Sequence, residues 1–200
     1  MPILDESDGR SAILASNCRL VFLWAGDRWR HALEVGAGDS YRTLASSMEG
    51  EADPTRVVGP AYQQMHLQHL PDQPEAIRAF LVGQSGPHHF SAVFTISEDE
   101  GVARIDVEVA DRCRAEVVAL ASTYVVDLPT SDLRDAGPAG VSWELSPGPS
   151  GSLSIEADTP SRIDLREAGC RGVQVQAAAR VEPGQATVSW SYSWRLRVAP

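Results

Sequence analysis

Four of the five histidines fall between residues 66 and 89, and imidazole is a common metal ligand. They are His66, His69, His88 and His89. A zinc site needs three or four ligands that converge in space. On a strand, side chains one or three residues apart point to opposite faces, so each pair of histidines supplies at most one ligand. The spacing therefore nominates His66 together with His88 or His89.

A third ligand for this candidate metal site has to be a carboxylate, and Glu49 and Asp53 are the candidates. No HExxH or HxH spacing reinforces the pattern. The competing interpretation places the same histidines at a strand end and in a turn, without a metal. Distance separates the two interpretations, because the ligands of one ion must lie together. Convergence of His66, His88 and Glu49 would favour a metal-dependent enzyme or a small-ligand site.

The three cysteines are Cys18, Cys113 and Cys170. They are odd in number, far apart and form no CxxC pair, so neither a disulfide framework nor a zinc cluster is indicated. Buried or half-buried free thiols are the prediction, because an unpaired cysteine behaves as a small apolar residue. A catalytic thiol is the alternative.

Residue types exclude several cofactor chemistries. All 17 basic residues are arginine, so there is no lysine for a Schiff base or for the phosphate grip of a P-loop. The glycine-rich segments at residues 36–40 and 83–86 are interpreted as turns, because neither precedes a convincing helix of the kind that a dinucleotide or phosphate site needs. We expect no cofactor.

The charge balance excludes further classes of partner. The chain carries 17 basic and 27 acidic residues, a formal net charge of −10. Nucleic acids and anionic membranes both require a basic surface, so neither is expected as a partner. No apolar run of about 18 residues is present, and the acidic N-terminus lacks the apolar stretch of a secretory signal. The sequence predicts a soluble cytoplasmic protein.

The elements that position these residues are strands. Apolar and polar residues alternate with a period of two, the pattern of a strand with one buried face. The alternation is clearest in the last strand, where one face carries Val188, Trp190, Tyr192, Trp194, Leu196 and Val198. It recurs at residues 90–96, 105–109, 153–157 and 173–177. The pattern predicts an all-β fold, an antiparallel β-sandwich or partly closed barrel of about ten or more strands with at most one or two short helices.

Two segments have more specific patterns. Residues 18–35 are predicted to form a hairpin, with Trp24 and Trp29 as a cross-strand pair beside the turn. The segment Asp111–Ser122 carries apolar side chains at three- and four-residue spacings and is the candidate for a short helix capped by Asp111.

Several short motifs are spread along most of the chain: SMEG at residues 47–50, QMHLQ at 64–68, LVGQSG at 81–86, Ser91 after two histidines, STY at 122–124 and ATVSWSY at 186–192. Together they resemble a group of bacterial proteins of planctomycete type. The resemblance implies a β-rich fold of unknown function. It implies no activity, cofactor or catalytic residue.

These observations favour a single β-rich domain over residues 1–200, with two subdomains meeting near residues 111–125 as the alternative. The leading functional hypothesis is a non-catalytic all-β module that binds a partner protein or its own copy, because extended strand edges are available for pairing. The alternative is a small-ligand binder or metal-dependent enzyme with its site near His66–His89.

Overall fold

The computed structural model describes residues 2–38, 40–50, 57–145, 150–167 and 172–198. Strands dominate this part of the chain. In chain order they are β1 (Ile3–Ser7), β2 (Arg10–Ala15), β3 (Cys18–Trp24), β4 (Trp29–Ala37), β5 (Ser40–Met48), β6 (Gln64–Leu70), β7 (Gln73–Ser85), β8 (His88–Asp99), β9 (Val102–Cys113), β10 (Ala121–Val126), β11 (Leu133–Gly137), β12 (Gly140–Glu144), β13 (Gly151–Ala157), β14 (Arg162–Glu167), β15 (Val173–Ala178) and β16 (Thr187–Val198).

The strands form two open antiparallel sheets of eight strands each. The first sheet has the order β1-β2-β3-β4-β5-β10-β15-β14, and the second has the order β11-β12-β13-β16-β9-β8-β7-β6. Among the described residues, the helical structure is limited to one 3-10 turn at Thr130–Asp132. The predicted all-β sandwich is therefore confirmed. Within the described ranges, no helix has the length and apolarity that spanning a bilayer requires.

The core lies between the two sheets and follows the alternation of the sequence. On β16 the buried side chains include Val188, Trp190, Tyr192, Trp194 and Leu196, as the pattern predicted. They belong to a cluster with buried residues of both sheets. Trp143 is fully buried in the same cluster. Whether the chain has one domain or two subdomains stays a prediction.

The N-terminal hairpin is confirmed. β3 and β4 pair antiparallel, and Trp24 lies opposite Trp29 beside the turn. Their ring centroids are 5.5 Å apart in an edge-to-face arrangement, which is a favoured geometry for aromatic pairs. The turn glycine Gly26 has a φ of 87°, a conformation that other residues rarely adopt.

The predicted helix over Asp111–Ser122 is wrong. β9 continues through Asp111 to Cys113, because its backbone pairs with β8 as far as Cys113 and with β16 as far as Arg112. The strand alternation also continues, so Asp111 and Cys113 remain on the buried face. The next regular element is strand β10, which begins at Ala121. Sheet pairing therefore overrides the weak helical spacing in this segment.

Candidate functional site

One end of the β8–β9 hairpin brings together three side chains that could do chemistry. His88 begins β8, and Cys113, the last residue of β9, lies directly opposite it. Asp111 lies two residues earlier on the same face of β9, since side chains alternate along a strand. All three are buried. The hairpin therefore places a thiol, an imidazole and a carboxylate side by side at the end of the core.

The three groups form a continuous chain of contacts. His88 Nδ1 lies 2.7 Å from Asp111 Oδ2, and His88 Nε2 lies 3.8 Å from Cys113 Sγ. A carboxylate only accepts hydrogen bonds, so this contact assigns the proton to Nδ1. The Nε2 lone pair then faces the thiol. This is the arrangement of a nucleophile, a base and a group that orients the base.

The surroundings of these three side chains differ. The imidazole of His88 stacks on Phe90, with ring planes 7° apart. The backbone N–H of Ala115 donates to Cys113 Sγ over 3.4 Å, a contact that would stabilise negative charge on sulfur. Asp111 is 1% exposed, and its Oδ1 accepts no hydrogen bond from the described residues. Buried polar atoms are nearly always paired, so this oxygen is an exception within the cluster.

The sulfur end of the cluster borders a surface groove. Cys113 lines a groove of about 660 Å³ together with residues 114–118 and 181–186. The two walls are joined at their base, where Cys113 N donates to Ala186 O over 3.0 Å. Asp111 is the most deeply buried of the three residues, whereas Cys113 and His88 keep small exposed fractions of 4% and 8%.

A metal ion is the second chemistry that these residues allow. One ligand atom from each of His88, Asp111 and Cys113 can be chosen so that all three lie within 4.8 Å of one another. However, Asp111 already occupies Nδ1 of His88. Nε2, Sγ and the second carboxylate oxygen, Oδ1, remain for an ion, and catalytic zinc sites use three protein ligands.

The histidines nominated from the sequence are not brought together. His66 is exposed on the edge strand β6, opposite Phe80 of β7. Phe80 faces Val93 of β8, which is five residues from His88. His89 is exposed and points away from the core. Of these histidines, only His88 belongs to the cluster that the structure forms.

The carboxylates nominated as the third ligand are elsewhere. Glu49 is buried but contacts His31 and not His88, with Oε1 at 3.1 Å from Nδ1 in an ion-pair contact that lacks hydrogen-bond geometry. Asp53, the other candidate carboxylate, and Cys170 lie outside the described residues. The expected convergence of His66, His88 and Glu49 is therefore absent, and a different cluster around His88 takes its place.

The contact between Glu49 and His31 belongs to a second buried network. His31 Nε2 lies 2.8 Å from the Tyr124 hydroxyl, which lies 2.6 Å from the Tyr192 hydroxyl. Tyr124 belongs to the first sheet and Tyr192 to the second, so this network ties the sheets together. Burial raises the pKa of the Tyr124 hydroxyl well above its usual value, and the neighbouring Tyr192 adds to the shift. Burial likewise raises the pKa of Tyr192.

The two described cysteines differ in their surroundings. Cys18 is buried on β3, and burial raises the pKa of its thiol, with a further increase from Glu34. A thiol held protonated in this way is unreactive, because the thiolate is the nucleophile. Cys113 instead faces an imidazole and borders a groove. The sequence prediction of buried free thiols is confirmed for both residues.

The sequence reasoning missed Asp111 and Cys113 as partners of His88, although a signal was present. The acidic residues and glycine at 98–101 are typical of a hairpin turn, and in the structure Glu100 and Gly101 form its tip with φ values of 47° and 76°. A two-residue turn fixes the register of both strands. Counting eleven residues back from Asp99 and eleven forward from Val102 pairs His88 with Cys113.

Comparisons with known proteins give little guidance. No family model matches the sequence, and no curated protein matches it. Among solved structures, the chain is similar to a galactose mutarotase related enzyme from Lactobacillus acidophilus, with a TM-score of 0.39, 9% identity and coverage of 100% of both chains. A similarity this low carries no argument about function. The resemblance to planctomycete-type bacterial proteins stays a prediction.

Proposed function

We propose that this protein is a thiol-dependent enzyme that transfers or hydrolyses acyl groups, with Cys113 as nucleophile. One observation carries the proposal: the imidazole of His88 lies between the other two groups. Its Nε2 is 3.8 Å from Cys113 Sγ, and its Nδ1 is 2.7 Å from Asp111 Oδ2. Nucleophile-to-base distances are often loose in an unliganded site, so the longer contact is compatible with catalysis. The proposal takes up the catalytic-thiol alternative, beside His88, in preference to the small-ligand binder or metal-dependent enzyme expected near His66–His89.

Each residue has a defined part in the proposed reaction. Cys113 Sγ forms a bond to the carbonyl carbon of an ester, thioester or amide, and the thiol proton passes to His88 Nε2. The leaving group departs with that proton as the tetrahedral intermediate collapses to a thioester. Water, deprotonated by Nε2, then releases the acid and restores the thiol. Asp111 holds the imidazole in the required tautomer and stabilises the imidazolium.

A metal-dependent enzyme at the same place is supported less well. It would need Asp111 to bind the ion through Oδ1 while Oδ2 holds the imidazole. A carboxylate that orients a histidine is common behind metal ions as well, so this contact alone does not separate the two chemistries. The thiol mechanism uses the contacts as they stand.

Reaction with p-nitrophenyl acetate tests the proposal. The expected result is release of p-nitrophenolate with an acetyl group appearing on the peptide that contains Cys113, measured by mass spectrometry. Cys113→Ser should lose the acetylated peptide and most of the release. Cys18→Ser is the matched control, because it also removes one buried thiol, and it should react as the original protein does. Circular dichroism establishes that both variants are folded.

Two results would overturn the thiol mechanism. One is the absence of acetyl-Cys113 under conditions in which the reagent acetylates a small free thiol. The other is stoichiometric zinc binding that survives dialysis and is lost in Cys113→Ser and His88→Asn, since this outcome would assign the cluster to a metal instead.

A second proposal, self-association, is favoured by one specific observation on the edge strands. β6 forms an outer edge of the second sheet, and within the described residues its outer side makes no backbone hydrogen bond. It carries no Asp, Glu or Arg. Charged edge residues oppose edge-to-edge pairing. The other three edges do carry them: Asp5 and Glu6 on β1, Arg134 and Asp135 on β11, Arg162 and Asp164 on β14.

We therefore propose that two copies pair antiparallel through β6. Light scattering should give a dimer mass, and the double variant Gln64→Lys/Gln68→Lys should give a monomer, because like charges then meet across the edge. Ser91→Lys/Ser189→Lys is the matched control, since it adds the same charge at exposed positions on the inner strands β8 and β16. A monomer mass for the original protein, or equal effects of both double variants, would contradict pairing through β6.

A further inference from the structure

One cationic side chain, that of Arg114, lines the groove beside Cys113. Arg114 lies between Cys113 and Ala115, and the N–H of Ala115 donates to Cys113 Sγ. Arg114 is exposed and lines the groove. Arg112, on the other side of Cys113, does not line the groove, so a molecule bound in the groove beside Cys113 lies nearer to Arg114.

Arg114 is also uncommitted. It makes no hydrogen bond or ion pair with any residue in the described part of the chain. The neighbouring groove residue Glu182 is different, because it forms an ion pair with Arg180 at 3.5 Å. Glu116 lines the same groove and likewise makes no ion pair within the described ranges. The unpaired charges of the groove are thus one guanidinium next to the nucleophile and one carboxylate two residues further along.

We infer that the acyl compound attacked by Cys113 carries a carboxylate that Arg114 binds. This inference rests on the proposed thiol mechanism and names the substrate class for that site. An unpaired guanidinium is suited to a carboxylate, which it binds through two parallel N–H donors. On a protein with a net charge of −10, a local cation is also needed to admit an anion. Glu116 opposes the anion, so the two residues have effects of opposite sign.

Alkylation of Cys113 by two matched reagents tests the inference without knowledge of the substrate. Iodoacetate carries a carboxylate, and iodoacetamide has nearly the same shape without charge. Both react in the same way: Sγ forms a bond to the methylene carbon, the carbon–iodine bond breaks, iodide leaves, and the thiol proton passes to His88 Nε2. The measured quantity is the ratio of the two rates on the Cys113 peptide, relative to the ratio for 2-mercaptoethanol.

The expected ratio favours iodoacetate, and the preference should fall as salt is added. Arg114→Ala should lower the ratio by about fivefold at low ionic strength, the effect of one partly screened charge at short range. Glu116→Gln should raise it. Arg112→Ala is the matched control, because it removes an exposed arginine two residues earlier, on β9, that does not line the groove. It should change the ratio little.

The outcomes separate the two proposals. If neither reagent modifies Cys113, the thiol mechanism itself is wrong. If iodoacetamide reacts and the ratio is the same in the original protein and in Arg114→Ala, the mechanism stands and the carboxylate-bearing substrate is wrong. If Arg112→Ala and Arg114→Ala lower the ratio equally, the effect belongs to the overall field of the protein, and the assignment to Arg114 is overturned.

Discussion

Two buried histidines in this sandwich each lie between a carboxylate and an O–H or S–H group, yet they are built in opposite ways. The partners of His31 come from both sheets: Glu49 follows the adjacent strand β5, Tyr124 lies on β10, and Tyr192 lies in the other sheet. The partners of His88 lie on the adjacent strand β9. The first network ends inside the core, and the second ends at a groove.

Access therefore distinguishes the two histidines more clearly than their composition does. A hydrogen-bonded network that joins two sheets in a low-dielectric core stabilises one packing, because each member left unpaired carries a desolvation penalty. A cluster at the end of a hairpin can meet a reagent while its carboxylate stays buried. We accordingly assign the network of His31 to stability and the cluster of His88 to chemistry, and four predictions test that division.

The largest expected effect comes from exchanging each histidine for asparagine. His88→Asn keeps an N–H donor for Asp111 but removes the base, so alkylation of Cys113 by iodoacetamide should slow by at least about 100-fold, with folding preserved. His31→Asn should leave that rate unchanged and lower the free energy of unfolding by about 2 kcal/mol, because the shorter side chain no longer spans Glu49 and Tyr124. Equal losses of reactivity in both variants would contradict the division.

Removal of one hydroxyl tests the network that joins the sheets. Tyr124→Phe leaves His31 Nε2 without its partner and removes one of the two side-chain partners of the Tyr192 hydroxyl, the other being Ser122. We expect a loss of about 2 kcal/mol in the free energy of unfolding, measured by urea denaturation, and an unchanged rate of Cys113 alkylation. A loss below about 0.5 kcal/mol, within the range of an ordinary surface substitution, would show that the network is not a stabilising tie.

The same contrast explains what the sequence could and could not predict. The sheets were predictable because burial of alternate residues is a local property, seen most clearly along β16. The pairing of His88 with Cys113 was predictable in principle, because a two-residue turn at Glu100 and Gly101 sets the register. The expectation of a helix from Asp111 onward prevented this prediction, because the pairing requires Asp111 and Cys113 to lie on a strand.

The network of His31 was beyond the reach of local rules. Glu49 follows β5, the hairpin partner of β4, but Tyr124 and Tyr192 lie on strands that come next to His31 only when the sheets assemble, with β5 beside β10 and the two sheets face to face. No periodicity within a segment indicates that Tyr124 reaches His31 or that it meets Tyr192. Proximity in the sequence instead nominated His66 and His89, which the structure leaves exposed on outward-facing positions.

A smaller effect should follow from neutralising the buried carboxylate of the cluster. Asp111→Asn keeps the size of the side chain but removes the charge that stabilises the imidazolium formed when Nε2 takes the thiol proton. We expect alkylation of Cys113 to slow by about tenfold. Asp106→Asn is the matched control, because this residue lies on the same strand, is partly exposed and pairs with Arg104. A rate unchanged by Asp111→Asn would remove the carboxylate from the mechanism.

The smallest effect concerns alkaline pH and the tyrosines of the core. Burial raises the pKa of Tyr62 well above its usual value, and Tyr192 and Glu49 add to the shift. An unfolded tyrosine ionises near pH 10, so above that pH the unfolded state binds fewer protons than the folded state, and stability falls as pH rises. The stability linked to this shift is fully present below about pH 10 and is lost above it, by at most about 1.4 kcal/mol per pH unit for each such group. Tyr62→Phe removes one of these groups without breaking a hydrogen bond to any described residue.

Urea denaturation at pH 7 and pH 11 tests this linkage. It should show a smaller difference in the free energy of unfolding for Tyr62→Phe than for the original protein. Tyr41→Phe, on a half-buried tyrosine beneath Arg19, is the control. If the free energy of unfolding changes equally between pH 7 and pH 11 in Tyr62→Phe and in the original protein, Tyr62 does not remain neutral in the folded core. That result would contradict the description of this core as closed to water.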